Sequence, residues 1–164
     1  MQSLGAPILT LEEFAAIRPT LKNVVCESGG FDPIHPGHIS VFAAAKKLGD
    51  VLVVAVNGDQ FLTRKKGKPF QDLRTRSLIV SAIREVDYVV PFESDDQTAT
   101  LALEAIRPDI FAKGGDRKDP ESLPEWEVCQ KYGIKVVFEV GADKDWSSSW
   151  FLKEWEDYVS GNKK

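Results

Sequence analysis

"VLVVAV", residues 51–56, is an unbroken run of six apolar residues, four of them valine. A strand with one wet face alternates apolar and polar positions, so a run without a polar position belongs to a strand covered on both faces. Such strands come from parallel sheets, in which each crossover lays a helix on one face or the other. The flanking sequence keeps the alternation this requires. Upstream, residues 23–26 read as a buried strand, and Ile39, Phe42, Ala43 and Leu48 carry helical spacing up to a Gly49 C-cap. Downstream, residues 72–84 read as a helix turning Leu73, Leu78, Ile79 and Ile83 inward. Strands at 88–90, 109–112 and 135–140 then alternate with helices at 98–106, 121–132 and 147–159. The expected fold class is α/β, a doubly wound parallel five-stranded sheet.

Ahead of the first strand, Thr10-Leu-Glu-Glu13 is a capping-box pattern, predicting a short helix to about Ile17 that Pro19 stops. Residues 1–20 are therefore read as an extension with one short helix, and 21–164 as the domain proper. In doubly wound sheets ligands bind where the strands' carboxyl ends meet their loops. The Gly-rich or polar stretches at 28–38, 57–68, 113–119 and 141–149 all fall on that edge.

Composition narrows the function class. The chain has 164 residues and a net charge of −4, so no global basic field invites nucleic acid, and an anionic ligand must be held by local cations and backbone amides. No apolar run approaches the length of a membrane helix, and residues 1–7 lack the charged and apolar regions of a signal peptide. Cys26 and Cys129 lie far apart in strand-like and helix-like runs and are read as separate buried thiols, consistent with a cytoplasmic location.

Both histidines of the chain fall in one decapeptide, "GGFDPIHPGH" at 29–38. Pro36 suits a first helical position and Gly37 permits close approach to the backbone, so His35 lies at the start of a helix and His38 in its first turn, on one face. A helix N-terminus favours an anion, and two imidazoles add donors that can follow charge developing on a phosphoryl oxygen. The competing readings are a helix cap with two surface histidines, or a metal site. No Cys, His or carboxylate cluster stands nearby with zinc-like spacing.

Gly30-Phe31-Asp32 followed by His35-Pro36-Gly37-His38 resembles the GxFD…HxGH signature of the HIGH-type, cytidylyltransferase-like nucleotidylyltransferase superfamily. Further motifs follow in order: "KLGDVLVVAVNGD" at 47–59, "KKGKPF" at 65–70, "VDYVVPFESD" at 86–95, "IRPDIFAKGGD" at 106–116 and "DWSSS" at 145–149. Within the superfamily they look most like the adenylyltransferase half of the bacterial heptose kinase/adenylyltransferases. The resemblance implies a Rossmann-like nucleotidylyltransferase fold. It also implies a direct displacement, in which an acceptor phosphate attacks the α-phosphorus of ATP and pyrophosphate leaves, with Mg²⁺ accompanying the triphosphate. Catalytic roles are implied for His35, His38 and Lys66. Nucleotide contacts are implied for Gly30, Phe31, Asp32, Lys65, Lys113, Gly114, Gly115, Asp116, Ser147, Ser148 and Ser149. Asn57, Asp59 and Arg76 are acceptor-side candidates, and Asn57 and Asp59 serve equally as loop-ordering residues. A homodimer is expected on the resemblance alone.

Each constellation has a plainer alternative. The run Arg64-Lys65-Lys66-Gly67-Lys68 is either a loop closing over phosphates or a solvated surface loop. A Gly-Gly turn is usually only a turn, a serine at a helix start is often only an N-cap, and Trp146 and Trp150 are read as packing residues. The arginine that cytidylyl relatives carry before the serine run is missing, since 141–146 read Gly-Ala-Asp-Lys-Asp-Trp, and none follows at 150–152. ATP is therefore expected over CTP, with a small phosphorylated acceptor resembling a sugar 1-phosphate. The competing readings are a CTP-dependent polyol phosphate or phosphonate enzyme and a nucleotide-binding module without catalysis.

Overall fold

A computed structural model describes residues 2–115, 120, 123–142 and 145–161. Five strands, β1 (Val24–Gly29), β2 (Val51–Asn57), β3 (Tyr88–Phe92), β4 (Ile110–Ala112) and β5 (Lys135–Val137), form one sheet in the order β3-β2-β1-β4-β5. Every pairing is parallel, with Val24 opposite Val51 and Gly29 opposite Val56 across the central pair. The connections are α2 (Pro36–Lys46), α3 (Asp59–Lys66), α4 (Leu73–Ser81), α5 (Thr100–Ile106) and α6 (Trp126–Tyr132), preceded by α1 (Leu11–Ile17) and followed by α7 (Ser148–Val159).

The apolar run that set the fold divides between two cores. Val53 and Ala55 join Val24, Cys26, Phe111 and the helix residues Phe14, Leu103 and Ile106 on one face. Leu52, Val54 and Val56 join Val25, Phe42, Ala45 and Val80 on the other. Successive residues thus bury on opposite faces, which is why no polar position interrupts the strand. Cys26 and Cys129 are both buried free thiols, and burial pushes each thiol up. No helix among the described residues is long and apolar enough to cross a membrane.

Two features differ from the sequence reading. The amino-terminal 20 residues are not an appendage: Phe14 is fully buried in the first core, and Ile8 makes a parallel bridge to Val89 on the outer edge of β3. Their helix carries the expected reciprocal cap, Glu13 N–H donating to Thr10 Oγ1 at 3.1 Å and Thr10 N–H to Glu13 Oε2 at 2.7 Å. The stretch read as a basic loop is instead the helix α3, with Arg64, Lys65 and Lys66 in its last turn. Its N-terminus is closed from a distance, Glu93 Oε1 accepting from Asp59 N–H at 2.7 Å. A Cβ at Gly58 would fall about 2 Å from that carboxylate, so only glycine leaves it room.

Candidate active site

The carboxyl ends of β1, β2 and β4 open into a cavity of about 560 Å³. Its wall takes Gly30, His35, His38, Asn57, Lys65, Lys113, Gly114, Gly115 and Ser147 to Ser149 from the sequence-derived candidates. Four separate stretches therefore converge, as the switch point of a doubly wound sheet predicts.

His35 is the N-cap of α2, in extended backbone, and Pro36 opens the first turn. The two imidazoles stack with ring centroids 3.6 Å apart and 19° between planes. Gly37 makes this possible: a Cβ there would stand 3.0 Å from His35 Nδ1. Phe31 braces the pair from below, its ring edge-to-face with His38 at 5.2 Å. It does so from left-handed backbone, φ 51°, which is uncommon for an aromatic residue.

Burial, and then the neighbouring His35, push His38 down to about 3, and burial lowers His35 as well. Both rings are therefore neutral at pH 7. His38 Nδ1 accepts from His35 N–H at 3.3 Å, which leaves the ring proton to Nε2 as a donor, whereas His35 Nδ1 is buried without a partner.

Ser147 stands at the N-cap position of α7, but its side chain makes no cap bond. Ser148 Oγ donates instead to Pro33 O at 2.8 Å, tying the start of α7 to the loop that carries His35. Trp146 lines the cavity beside Gly37, so it shapes the site as well as packing. Lys113 also lines the cavity, its Nζ 4.8 Å from the Phe111 ring centroid. Asp116 lies outside the described residues.

Several candidates stand beside the cavity rather than in it. Asp32 is 2% exposed, and its carboxylate accepts from Phe70 N–H, from Gln71 N–H and, at 2.8 Å, from Lys66 Nζ. Lys66 thus holds a buried carboxylate, while its neighbour Lys65 reaches the cavity wall. Arg76 is fully buried, donating to the carbonyls of Gln71, Gly30 and Asn57 and, at 2.7 Å, to Asp59 Oδ1. Arg76 and Asp59, two of the acceptor-side candidates, are not among the residues lining the cavity: the pair fastens the ends of β1 and β2, the loop-ordering alternative for Asp59. Lys66, Phe31 and Asp32 likewise support the site from outside its wall.

Sequence reasoning passed over other wall residues: Glu27, Phe61, Gln97, Thr98 and Glu125. Glu27 was hidden in an apolar strand run. Glu125 gives no local signal, because its partner, Ala99 N–H donating to Oε1 at 2.8 Å, lies 26 residues away.

Comparison with known proteins identifies the family and the fold. A family model described as cytidylyltransferase-like matches residues 28–161. The chain is 41% identical over 139 residues to "Bifunctional protein HldE" of Escherichia coli O1:K1, and equally to that of Shigella boydii serotype 18. The match covers 81% of this chain but 29% of those proteins, so the chain spans less than a third of their length. Among solved structures, a lipopolysaccharide core biosynthesis protein from Thermoplasma volcanium superposes with a TM-score of 0.61 at 30% identity, over 73% of this chain and 98% of that one. A pantoate-beta-alanine ligase from Francisella tularensis shares the fold, with a TM-score of 0.57 at 17% identity over 87% of this chain and 69% of the other.

Proposed function

The chain belongs to the cytidylyltransferase-like family of nucleotidyltransferases, and from that premise we propose that it transfers AMP from ATP to a small phosphorylated acceptor of the sugar 1-phosphate type. The observation that carries the reading is the stacked, neutral His35–His38 pair at the N-terminus of α2, on the wall of a cavity at the sheet's switch point.

An oxygen of the acceptor phosphate attacks the α-phosphorus of the triphosphate, forming the new P–O bond. The bond to the bridging oxygen breaks, and its electron pair leaves with pyrophosphate. Every atom in that exchange comes from the two substrates, so the protein's work is positioning and charge stabilisation. The N-terminal end of α2 attracts the phosphates, and the two imidazoles donate to oxygens on which charge grows as the leaving bond lengthens. The start of α7, with Ser147 to Ser149, offers hydroxyls and backbone N–H groups to the triphosphate, and Lys65 adds positive charge at the cavity wall.

Among the described residues there is no group of three or more His, Cys, Asp or Glu arranged to hold a metal. Mg²⁺ would come with the triphosphate and supply neutralising charge to the leaving group.

ATP is preferred over CTP because residues 141–146 lack the arginine of cytidylyl relatives, while Lys113-Gly114-Gly115-Asp116 follows the adenylyl pattern. The motif resemblance to the heptose adenylyltransferases points the same way, toward a heptose-like acceptor. Initial rates of pyrophosphate release with ATP and CTP, each against a panel of sugar and polyol phosphates, test the reading. The expected ATP preference is at least about tenfold, or ~1.4 kcal/mol in barrier. Faster turnover with CTP would reverse the choice of base.

A further inference from the structure

Phe31 stands in left-handed backbone, φ 51°, a conformation that a bulky residue keeps only where its surroundings hold it. Cations hold it from both sides. Before it, the Gly30 carbonyl accepts from Arg76 Nη1 at 2.8 Å. After it, the Asp32 carbonyl accepts from Lys66 Nζ at 2.6 Å. The same ammonium pairs with Asp32 Oδ2 at 2.8 Å, and the backbone N–H groups of Phe70 and Gln71 donate to that carboxylate as well.

This backbone places one aromatic ring. Phe31 is 4% exposed and lies over Gly29, where an added Cβ would stand 2.9 Å from its Cζ. The ring meets His38 edge-to-face at 5.2 Å and Phe42 at 5.3 Å. The His38 imidazole is therefore packed by Phe31 and by the stacked His35. The bond it accepts from His35 N–H is long, 3.3 Å, so ring packing carries much of the work of aiming Nε2 into the cavity.

Lys66 is not on the cavity wall, and Phe31 is not on it either. In this geometry the lysine reaches the reacting atoms only through the contacts just described.

We propose that Lys66 is a positioning residue for His38: it fastens Asp32, the fastened Asp32 holds Phe31 in left-handed backbone, and the Phe31 ring aims the imidazole. The effect of Lys66 then falls on turnover and not on substrate affinity. The assignment rests on the nucleotidyl-transfer reading, and it replaces the direct catalytic role that the resemblance implies for this lysine. A transition-state donor displaced by about 1 Å loses on the order of a hundredfold in rate, so a modest shift of the ring is enough to be read.

The test compares wild type with Lys66→Met, Lys66→Arg, Phe31→Leu and the double variant Lys66→Met/Phe31→Leu. Pyrophosphate release is followed with the fastest pair from the panel of ATP and CTP with sugar and polyol phosphates. Lys66→Met and Phe31→Leu should each lower kcat about tenfold or more and leave both KM values within about twofold. The double variant should be no slower than the slower single one, because both changes break the same chain of contacts. Lys66→Arg, which keeps a donor for Asp32, should recover to within about threefold of wild type. The chain has only two histidines, so labelling them with ¹⁵N reads the ring directly by NMR. Wild-type His38 should show one tautomer, with the proton on Nε2, and both single variants a mixture of the two.

An unchanged kcat with a raised KM for ATP in Lys66→Met overturns the proposal, since the lysine then meets the triphosphate. Effects that multiply in the double variant overturn it too, because the two residues then act separately. Lys66→Arg as slow as Lys66→Met has the same consequence. If Lys66→Met does not fold, Phe31→Leu decides: a lowered kcat with mixed His38 tautomers supports the proposal, and wild-type values of both overturn it. No pyrophosphate from the wild type with any pair removes the transferase reading, and the His38 signal then judges the positioning by itself.

Discussion

Two polar clusters sit side by side at the carboxyl end of the sheet and differ in one respect, whether their hydrogen-bonding capacity is used. In the Asp32–Lys66–Arg76–Asp59 cluster the Asp32 carboxylate has three donors and the Arg76 guanidinium four acceptors. In the Glu27–His35–Asn57 group one atom of each side chain is buried with nothing to bond. The lesson is that charge at a site edge does not by itself identify a ligand contact. A satisfied network holds the backbone in place, and an unsatisfied one leaves room for substrate.

The largest effect that could break this distinction comes from Arg76. Arg76→Met leaves the carbonyls of Gly30, Asn57 and Gln71 and the Asp59 carboxylate without their donor. Removing one partner of such a buried set costs about 3–5 kcal/mol, a fall in Tm of roughly 10 °C by thermal denaturation. A stable variant that had merely lost acceptor affinity would return Arg76 to the substrate side.

The next effect is kinetic. His38→Ala removes a donor from the cavity wall together with the bond from His35 N–H, so turnover should fall on the order of a hundredfold, ~2.7 kcal/mol in barrier, with a Tm loss well below that of Arg76→Met. Near-wild-type turnover would unseat the histidine mechanism, and an unfolded variant would favour the helix-cap alternative.

Two adjacent lysines sharpen the contrast within one helical turn. Lys66→Ala leaves the buried Asp32 carboxylate without its counter-charge and should lower stability by about 1–3 kcal/mol. Lys65→Ala should leave Tm nearly unchanged, because exposed charges stabilise little, and should weaken ATP binding several-fold by calorimetry. If the two variants behave alike, the division of the basic run is wrong.

The smallest effect is the dependence on pH. The folded histidines titrate below their ordinary value of 6.5, His38 at about 3. As pH falls through that window the unfolded chain binds protons first, so stability present above 6.5 is progressively lost. Glu27 works in the opposite sense: its raised value makes its contribution complete below 4.5 and lost as pH rises through about 7. Wild type should therefore lose more stability than His38→Gln on going from pH 7 to 5, read as Tm in matched buffers. Equal slopes would mean that His38 is not depressed. Bound ATP should oppose the histidine effect, because an anion beside the imidazoles favours their protonated form.

The sheet, the order of its elements and the histidine corner were legible in the sequence because each leaves a local trace. A doubly covered strand needs an uninterrupted apolar run, a helix start needs its cap, and a stacked pair on one first turn needs the three-residue spacing of His35 and His38. The helix α3 left none, because its residues 59–66 contain only Phe61 and Leu62 as apolar positions and its cap comes from Glu93. The amino-terminal segment was equally silent about Phe14 and Ile8 packing into the domain.

The sequence by itself determined which residue types stand at the ligand edge, since strand and helix periods fix which segments end there. Only the tertiary structure decided what each of them does. It turned Lys66 toward Asp32 and kept Lys65 at the cavity, spent every Arg76 contact on the backbone and on Asp59, and left Glu27 and Asn57 with an oxygen to offer. The physical reason is that a hydrogen bond or an ion pair is a relation between two groups. Apart from Arg76 and the Gln71 carbonyl, five residues away, those groups lie 17 to 46 residues apart along the chain, a separation on which no local pattern carries information.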